Sequence, residues 1–302
     1  MNSYPSEPAV LRAARVTATV LPKGRGAFVR KLARMTGNTA PFFAQVGENQ
    51  FLIDLNERVS RTLYLYRTFE PAISALLPKL IKPGDVVADA GANFGYFTVL
   101  AARAAGPGGK IFAFEPDPRN IERLQAVIDA NGAKQVELVK VGLFDRVGPV
   151  TFNLGNEAED NLGSSSIIEK GNGRAQIEIQ VTTLDEFARE RGVDRIDLMK
   201  MDIEGAEVEA LAGASKFLGE HRIRQILVEM HVFVVGRQKA LDLAGRILSH
   251  GYHGYYIHEE GANSGQAGSF LRPLAGSGWE DRPNPHCLFT VEPVEGVGEG
   301  RG

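Results

Sequence analysis

The chain has 302 residues, 43% of them hydrophobic and 24% charged. That is enough to bury a sizeable core, and it excludes a disordered or fibrous protein. Acids outnumber bases, 37 to 34, for a net charge of −3, which argues against a nucleic-acid binder dominated by phosphate contacts. A single cysteine, Cys287, excludes an internal disulfide framework and any multi-cysteine metal site. No run approaches the ~20 apolar residues of a membrane span, and the first residues lack the basic-then-apolar order of a secretory leader. A cytoplasmic location is therefore expected.

In chain order, residues 1–80 are predicted as a helical and basic extension. Between Pro8 and Gly47 there is no acid, while Arg12, Arg15, Lys23, Arg25, Arg30, Lys31 and Arg34 supply seven positive charges. The first reading is a solvated arm leaning on the acidic remainder; the second is a surface for anionic lipid or an acidic substrate. From Leu63 to Leu80 apolar residues recur near helical spacing. The turn Lys82-Pro-Gly-Asp85 opens a domain expected over 81–294, with 295–302 as a frayed tail. Strands are predicted over 86–90, 111–114, 136–141, 196–201, 223–230, 252–258 and 286–291. Helices near 97–104, 121–130, 206–218 and 238–250 lie between them. Two further β-like pieces, 150–153 and 177–181, flank the polar loop 155–174. Segment 259–285 is rich in Gly, Ser and Pro and carries the single tryptophan, Trp279. Loops this long in a compact domain are usually functional.

Short apolar strands alternating with amphipathic helices mean an α/β fold with a parallel, doubly wound sheet covered on both faces. Right-handed crossovers then bring the C-terminal ends of the strands to one edge, where ligands bind.

One strand, Val86-Val-Ala-Asp89-Ala, runs into the turn Gly91-Ala-Asn93-Phe-Gly95, which opens a helix. Glycine at 91 is expected to let the backbone approach a ligand, and the helix start offers unpaired N–H groups. Glu115 ends the next strand, where a carboxylate can accept both hydroxyls of a ribose. A dinucleotide site wants Gly-x-Gly-x-x-Gly, and its third glycine is missing. The acidic Asp89 would repel a pyrophosphate but suits an amino group and a sulfonium charge. The turn thus reads as an S-adenosylmethionine site. A nicotinamide-dependent oxidoreductase and a non-catalytic nucleoside-binding module stand as alternatives.

The motifs Asp89-Ala-Gly-Ala-Asn-Phe-Gly-Tyr-Phe-Thr98, Phe114-Glu-Pro-Asp117, Asn161-Leu-Gly-Ser-Ser-Ser166, Thr183-Leu-Asp185 and Lys200-Met-Asp-Ile-Glu-Gly-Ala-Glu207 follow in that order. Over roughly residues 67–260 they resemble the FkbM family of S-adenosylmethionine-dependent methyltransferases. The resemblance implies a class I methyltransferase-like, Rossmann-like sheet of seven strands, the last antiparallel. It also implies O-methylation of a sugar, polyketide or other secondary-metabolite acceptor. On that mapping Asp89, Gly91 and Asn93 hold the methionine end of the cofactor, with Gly95 opening the helix, and Glu115 holds the ribose. Gly142, in Val141-Gly-Leu143, lies near the adenine.

Two strand ends supply candidates for catalysis. Alternation puts Asp202 and Glu204 on one face of an extended strand end, and Glu229 and His231 on one face of the next. His231 is the side chain expected to take a proton near neutrality, with an ordinary imidazole pKa of ~6.5. Asp202 and Glu204 stand with it as catalytic candidates. The start of a helix would itself account for Glu204 and Glu207, where acids complement the dipole. Asp202, Glu229 and His231 could instead hold a hard cation such as Mg²⁺. The expected partner is a small-molecule hydroxyl acceptor, covered by loops 155–174 and 259–285 with Trp279 as a reporter of closure; a homo-oligomer is left open.

Overall fold

The computed structural model describes residues 4–19, 23–155, 165–167, 175–258, 267–295 and 297. Asn161 to Ser164 of the serine-rich motif, much of both long loops, and all of the tail except Glu295 and Val297 lie outside the described residues.

The N-terminal extension contains α1 (Ala9–Ala18), α2 (Arg25–Met35), the strands β1 (Phe42–Val46) and β2 (Asn49–Ile53), α3 (Arg58–Tyr66) and α4 (Pro71–Leu80). The antiparallel hairpin β1–β2 is not foreseen by the periodicity. Then come β3 (Val86–Ala90), α5 (Tyr96–Ala105), β4 (Lys110–Phe114), α6 (Pro118–Ala130) and β5 (Val136–Val139). A small sheet follows, made of β6 (Gly142–Leu143), β7 (Gly148–Asn153) and β8 (Gln176–Thr182). The chain continues through α7 (Leu184–Arg191), β9 (Leu198–Met201), α8 (Glu207–Ala212), α9 (Ser215–Gly219) and β10 (Gln225–Glu229). It ends with α10 (Val232–Val235), α11 (Arg237–Ser249), β11 (His253–Ile257), β12 (Leu271–Pro273) and β13 (His286–Thr290).

The central sheet has the order β12-β11-β13-β10-β9-β3-β4-β5. Strands β5, β4, β3, β9 and β10 are parallel, and β13 enters antiparallel between β10 and β11. The expected seven strands with an antiparallel last one are present, and β12 adds an eighth at the edge. Chain order reverses about β3, with β4 on one side and β9 on the other. Beyond the carboxyl ends of such neighbours a crevice opens.

Period-two alternation sorts the strand residues between two cores. Val87, Ile111, Leu198 and Leu227 join a cluster with α4, α5, α6 and the N-terminal extension. Ala88, Phe112, Met199 and Val228 join another with α7, α8, α9 and α11. Leu11, Ala14 and Ala18 of α1 and Val29 and Ala33 of α2 belong to the first cluster. The basic segment is therefore no solvated arm: its helices are anchored by apolar faces and only their outer faces meet water. Trp279 is likewise a core residue, 4% exposed in the second cluster, and not a side chain of a covering loop. The helix expected over 206–218 is two helices, because the chain at Gly213 passes so close to β6 that a Cβ there would lie 2.0 Å from the Phe144 carbonyl oxygen.

Candidate functional site

The turn after β3 carries three left-handed residues, Gly91 (φ +81°), Asn93 (φ +52°) and Gly95 (φ +93°). Its start is tied to β4, since the N–H groups of Gly91 and Ala92 both donate to the Phe114 carbonyl at 3.0 Å. A Cβ on Gly91 would lie 2.0 Å from the Asp202 carbonyl oxygen. The expectation for Gly91 needs correcting on this point. The glycine is required first because two strand ends of the protein itself touch there, and the close approach is to backbone. Gly95 is similarly constrained, with a Cβ meeting the Leu124 side chain at 2.6 Å.

Two buried carboxylates flank this turn. Asp89 is 2% exposed; its Oδ2 accepts from Thr98 Oγ1 at 2.6 Å, while its Oδ1 is buried with no hydrogen-bond partner. Burial raises its pKa, opposed by Lys200 and the Thr98 hydroxyl. Glu115, ending β4, accepts from the Asn93 N–H at 2.7 Å and the Asp117 N–H at 2.9 Å. Burial pushes it up to about 7 despite those hydrogen bonds.

A cleft of about 560 Å³ lies outside β3, β4 and β9, bounded by Gly91, Asn93, Glu115, Gly142, Phe152 and Ser165. Ser165 is the described part of the serine-rich motif that reaches this wall. Its hydroxyl accepts from the Gly155 N–H at 2.7 Å and donates to Asp117 at 3.1 Å. Ser166 Oγ donates to the Glu204 carbonyl at 2.8 Å, which ties the small sheet to the end of β9.

An adjoining cavity of about 800 Å³ shares Gly91, Asn93, Asp202 and Glu204 with the first. Asp89, Lys200, Glu229, Glu70, Arg58 and Asn284 add further polar groups, and Phe69, Phe94, Tyr96 and Phe97 form an aromatic wall. The turn thus stands between a cleft on the Glu115 side and a chamber with several charged side chains on the β10 side.

Beside the chamber's Asp202, Glu204 and Glu229, and outside its lining, His231 is buried, 2% exposed. Its Nδ1 donates to Glu207 Oε1 at 2.9 Å, and the same oxygen accepts from the N–H groups of Ile203 and Gly205. Glu207 therefore fixes both the ring and the loop after β9. Nε2 then faces Asp202, Glu229 and Glu204 at 3.8, 3.9 and 4.0 Å. Burial opposes a charge on this ring, yet the Glu207 hydrogen bond and the Asp202 and Glu229 carboxylates raise it to about 10. The structure thus differs from the expected ordinary imidazole: at neutral pH His231 is a cation with no lone pair to offer. Glu229 is pushed the opposite way for an acid, up to about 8, by burial and then by Asp202. Burial also opposes the charge on Asp202, but Lys200, His231 and His286 pull it down to about 2. Lys200 Nζ lies 3.4 Å from Asp202 and 4.8 Å from the Phe97 ring centre.

Of the residues that the sequence brings to one edge, Asp89, Gly91, Asn93, Glu115, Gly142, Asp202 and Glu204 line these two cavities, whereas Gly95 packs on α6 and His231 lies behind the acids of the second. Glu229 was foreseen beside His231, but Glu70 and the part played by His286 were missed. Glu229 pairs in register with His286 of β13, and His286 Nε2 lies 3.3 Å from Glu70 and 3.8 Å from Glu229. The one available signal was the antiparallel last strand, which sets His286 beside the end of β10. Asp202, Glu229 and His231 place potential ligand atoms within 4.8 Å of one another, as do Glu70, Glu229 and His286.

A model of the methyltransferase FkbM domain matches residues 89–255. The chain is 31% identical over 172 residues to "Methyltransferase sdnD" of Sordaria araneosa, covering 47% of this chain and 65% of that one. It is 30% identical over 159 residues to the "2-O-methyltransferase NoeI" of Sinorhizobium fredii, covering 47% and 63%. To the "31-O-demethyl-FK506 methyltransferase FkbM" of Streptomyces tacrolimicus it is 31% identical over 179 residues, covering 50% and 67%. The chain thus spans about two thirds of these relatives' length. Among solved structures, a methyltransferase FkbM from Methylobacillus flagellatus KT superposes with a TM-score of 0.45 at 20% identity, over 92% of this chain and 58% of that one.

Proposed function

The chain belongs to the FkbM methyltransferase family, and from that premise we propose that it O-methylates a hydroxyl of a sugar, polyketide or other secondary-metabolite acceptor, using S-adenosyl-L-methionine. The observation that carries the reading is the pair of buried carboxylates, Asp89 with its Oδ1 unpartnered and Glu115, on adjacent strands at the two sides of the glycine turn. Those groups fit the cofactor: a carboxylate oxygen to accept from its ammonium, a second carboxylate to accept from its ribose hydroxyls, and the Gly142–Leu143 wall for its adenine. Acid side chains outnumber cations around the chamber, which suits a ligand with ammonium and sulfonium charges. Two relatives named for 2-O and 31-O positions support oxygen as the methyl acceptor.

When bound, the cofactor supplies the electrophilic methyl group. The chain's own residues then align the hydroxyl and receive its proton. His231 is charged, so the proton acceptor we assign is Glu229 in its ionised form, which at a pKa of about 8 is the minor form at neutral pH and grows as pH rises. It lines the chamber, and the charged ring faces it. Asp202 and Glu207 are positioning residues that hold Lys200 and His231. We place the reaction in the cytoplasm, on a small-molecule acceptor and not a nucleic acid.

A second reading puts a divalent cation such as Mg²⁺ among Asp202, Glu229 and His231. It is favoured by Glu207 on Nδ1 while Nε2 faces three carboxylates, the arrangement of a metal-binding histidine. Activity lost on chelation and restored by Mg²⁺ selects this reading over proton transfer to Glu229.

Incubation with labelled S-adenosylmethionine and with nicotinamide cofactors tests the main proposal. Calorimetric binding of S-adenosylmethionine and label transfer to a hydroxyl-bearing acceptor are expected. Binding of a nicotinamide cofactor in its place, or nucleoside binding without turnover on any acceptor, overturns it.

A further inference from the structure

The basic extension is folded, and part of its charge is left facing outward. Arg15 is the inward one, against Glu7 at 3.3 Å and the Tyr64 ring. On α2, Ala27, Arg30, Lys31 and Arg34 fall at i, i+3, i+4 and i+7, so they form one stripe. Val29 and Ala33 occupy the opposite, buried side. The stripe and Met35 line a shallow concavity of about 690 Å³. Among the described residues Lys31 and Arg34 have no ion-pair partner, and no acid occurs between Pro8 and Gly47 to provide a local one. Helix α1 adds Arg12, which is exposed although its Nε lies 3.2 Å from Glu7 Oε2.

A second property accompanies the charge. Half of the large hydrophobic residues that stand exposed among the described residues are on these two helices: Val10, Val16, Phe28 and Met35, the last 74% exposed. Phe28 and Met35 are seven residues apart and so border the cationic stripe on the same side of α2. Cations alone would suit any polyanion. Cations bordered by apolar side chains that gain only by leaving water suit a surface with anionic headgroups above an acyl boundary.

We infer that the outer face of α1 and α2 is a docking surface for an anionic lipid bilayer. The lysine and arginine side chains engage lipid phosphates, and Phe28, Met35 and Val16 enter the interfacial layer. The net charge of −3 makes this a local attraction, effective within about a Debye length of ~8 Å at physiological salt. The surface is separate from the two cavities, so it stands whether or not the methyltransferase reading does.

The test is co-sedimentation of the full chain with vesicles of pure phosphatidylcholine, and of phosphatidylcholine containing phosphatidylglycerol, with a DNA duplex as competing polyanion. Binding to the anionic vesicles alone, weakened by salt, is expected. The triple variant Arg30→Glu, Lys31→Glu, Arg34→Glu should reduce partitioning by about a hundredfold or more. Phe28→Ser with Met35→Ser, both at exposed positions, should also weaken vesicle binding while leaving thermal melting and cofactor affinity unchanged. Equal sedimentation with neutral and anionic vesicles overturns the inference, as does wild-type vesicle binding by both variants. Tighter binding to DNA, indifferent to the Phe28 and Met35 substitutions, overturns it in favour of a nucleic-acid surface.

Discussion

The β3–β4 half of the site and the β9–β10–β13 half are held together by different means. Around Gly91 the important bonds are backbone bonds between neighbouring strands, and the side chains that matter lie within one βαβ unit. Around His231 the groups come from α3, α4, β9, α8, β10 and β13, and meet only in the folded chain. The first half is built by local chain geometry. The second is an electrostatic assembly in which each pKa depends on its neighbours. Substitutions in the first half should therefore act on folding and cofactor binding, and those in the second on turnover and its pH dependence.

The largest effect is expected at Gly91. Alanine there combines a left-handed φ with a Cβ 2.0 Å from a backbone oxygen. A loss of about 3 kcal/mol or more in unfolding free energy is expected. Denaturant titration measures it, and a stability within 1 kcal/mol of wild type (about experimental error for such a titration) would show that the turn can move away from β9 at little cost.

Next comes Glu229. With glutamine in its place the chamber keeps its shape but loses the proton acceptor, so kcat should fall by 10²–10⁴-fold while cofactor affinity holds. A kcat within threefold of wild type would remove Glu229 as the base. An equal loss in affinity and turnover would return the residue to the cofactor half.

That division explains what was legible in the sequence. The limits of β3 were readable to the residue, because a parallel strand buried on both faces is a short apolar run bounded by turns. Asp89 and Glu115 were readable because each ends such a strand. The hairpin β1–β2 was missed inside a segment whose neighbours are helical, and β12 because three residues carry no periodicity. Lys200 opens a motif that was read for its acids, and its role emerged only with Asp89 and Asp202 packed around it. Glu70 and His286 are 216 positions apart in the chain and meet only once β13 inserts beside β10. The charge state of His231 followed the same rule: Glu207, Asp202 and Glu229, from three different parts of the chain, decide it, and no local pattern encodes them.

Glu115→Gln sharpens the cofactor half. Losing one carboxylate against two ribose hydroxyls should weaken S-adenosylmethionine binding by about 1–3 kcal/mol, roughly 5- to 150-fold in Kd, with little change in kcat at saturation. Calorimetry reads the first and saturation kinetics the second. A Kd unchanged from wild type would move the ribose elsewhere.

The smallest expected effect, and the most diagnostic for the charged half, is the pH dependence of stability contributed by His231. Its folded pKa, about 10, lies above the unfolded value near 6.5. The proton it holds therefore stabilises the fold fully below about 6.5, and this contribution is lost as pH rises toward 10. Glu229 and Glu115 are raised acids, so their ionisation lowers stability between the unfolded carboxylate value and about 8 and about 7 respectively. Above pH 8 Glu115 is ionised and Glu229 becomes so, and the difference between wild type and His231→Gln then reports the imidazolium together with its attraction for the Glu229 carboxylate. Without cofactor, the stability gap between the two proteins should narrow from pH 8 to pH 10 by on the order of 1–2 kcal/mol, a few degrees in Tm. Glutamine still donates a hydrogen bond to Glu207, so shape and packing are nearly kept and the charge alone is removed. A gap that stays constant across that range would mean His231 is neutral in the folded protein. The lone pair on Nε2 would then be free, and proton transfer would return from Glu229 to the imidazole.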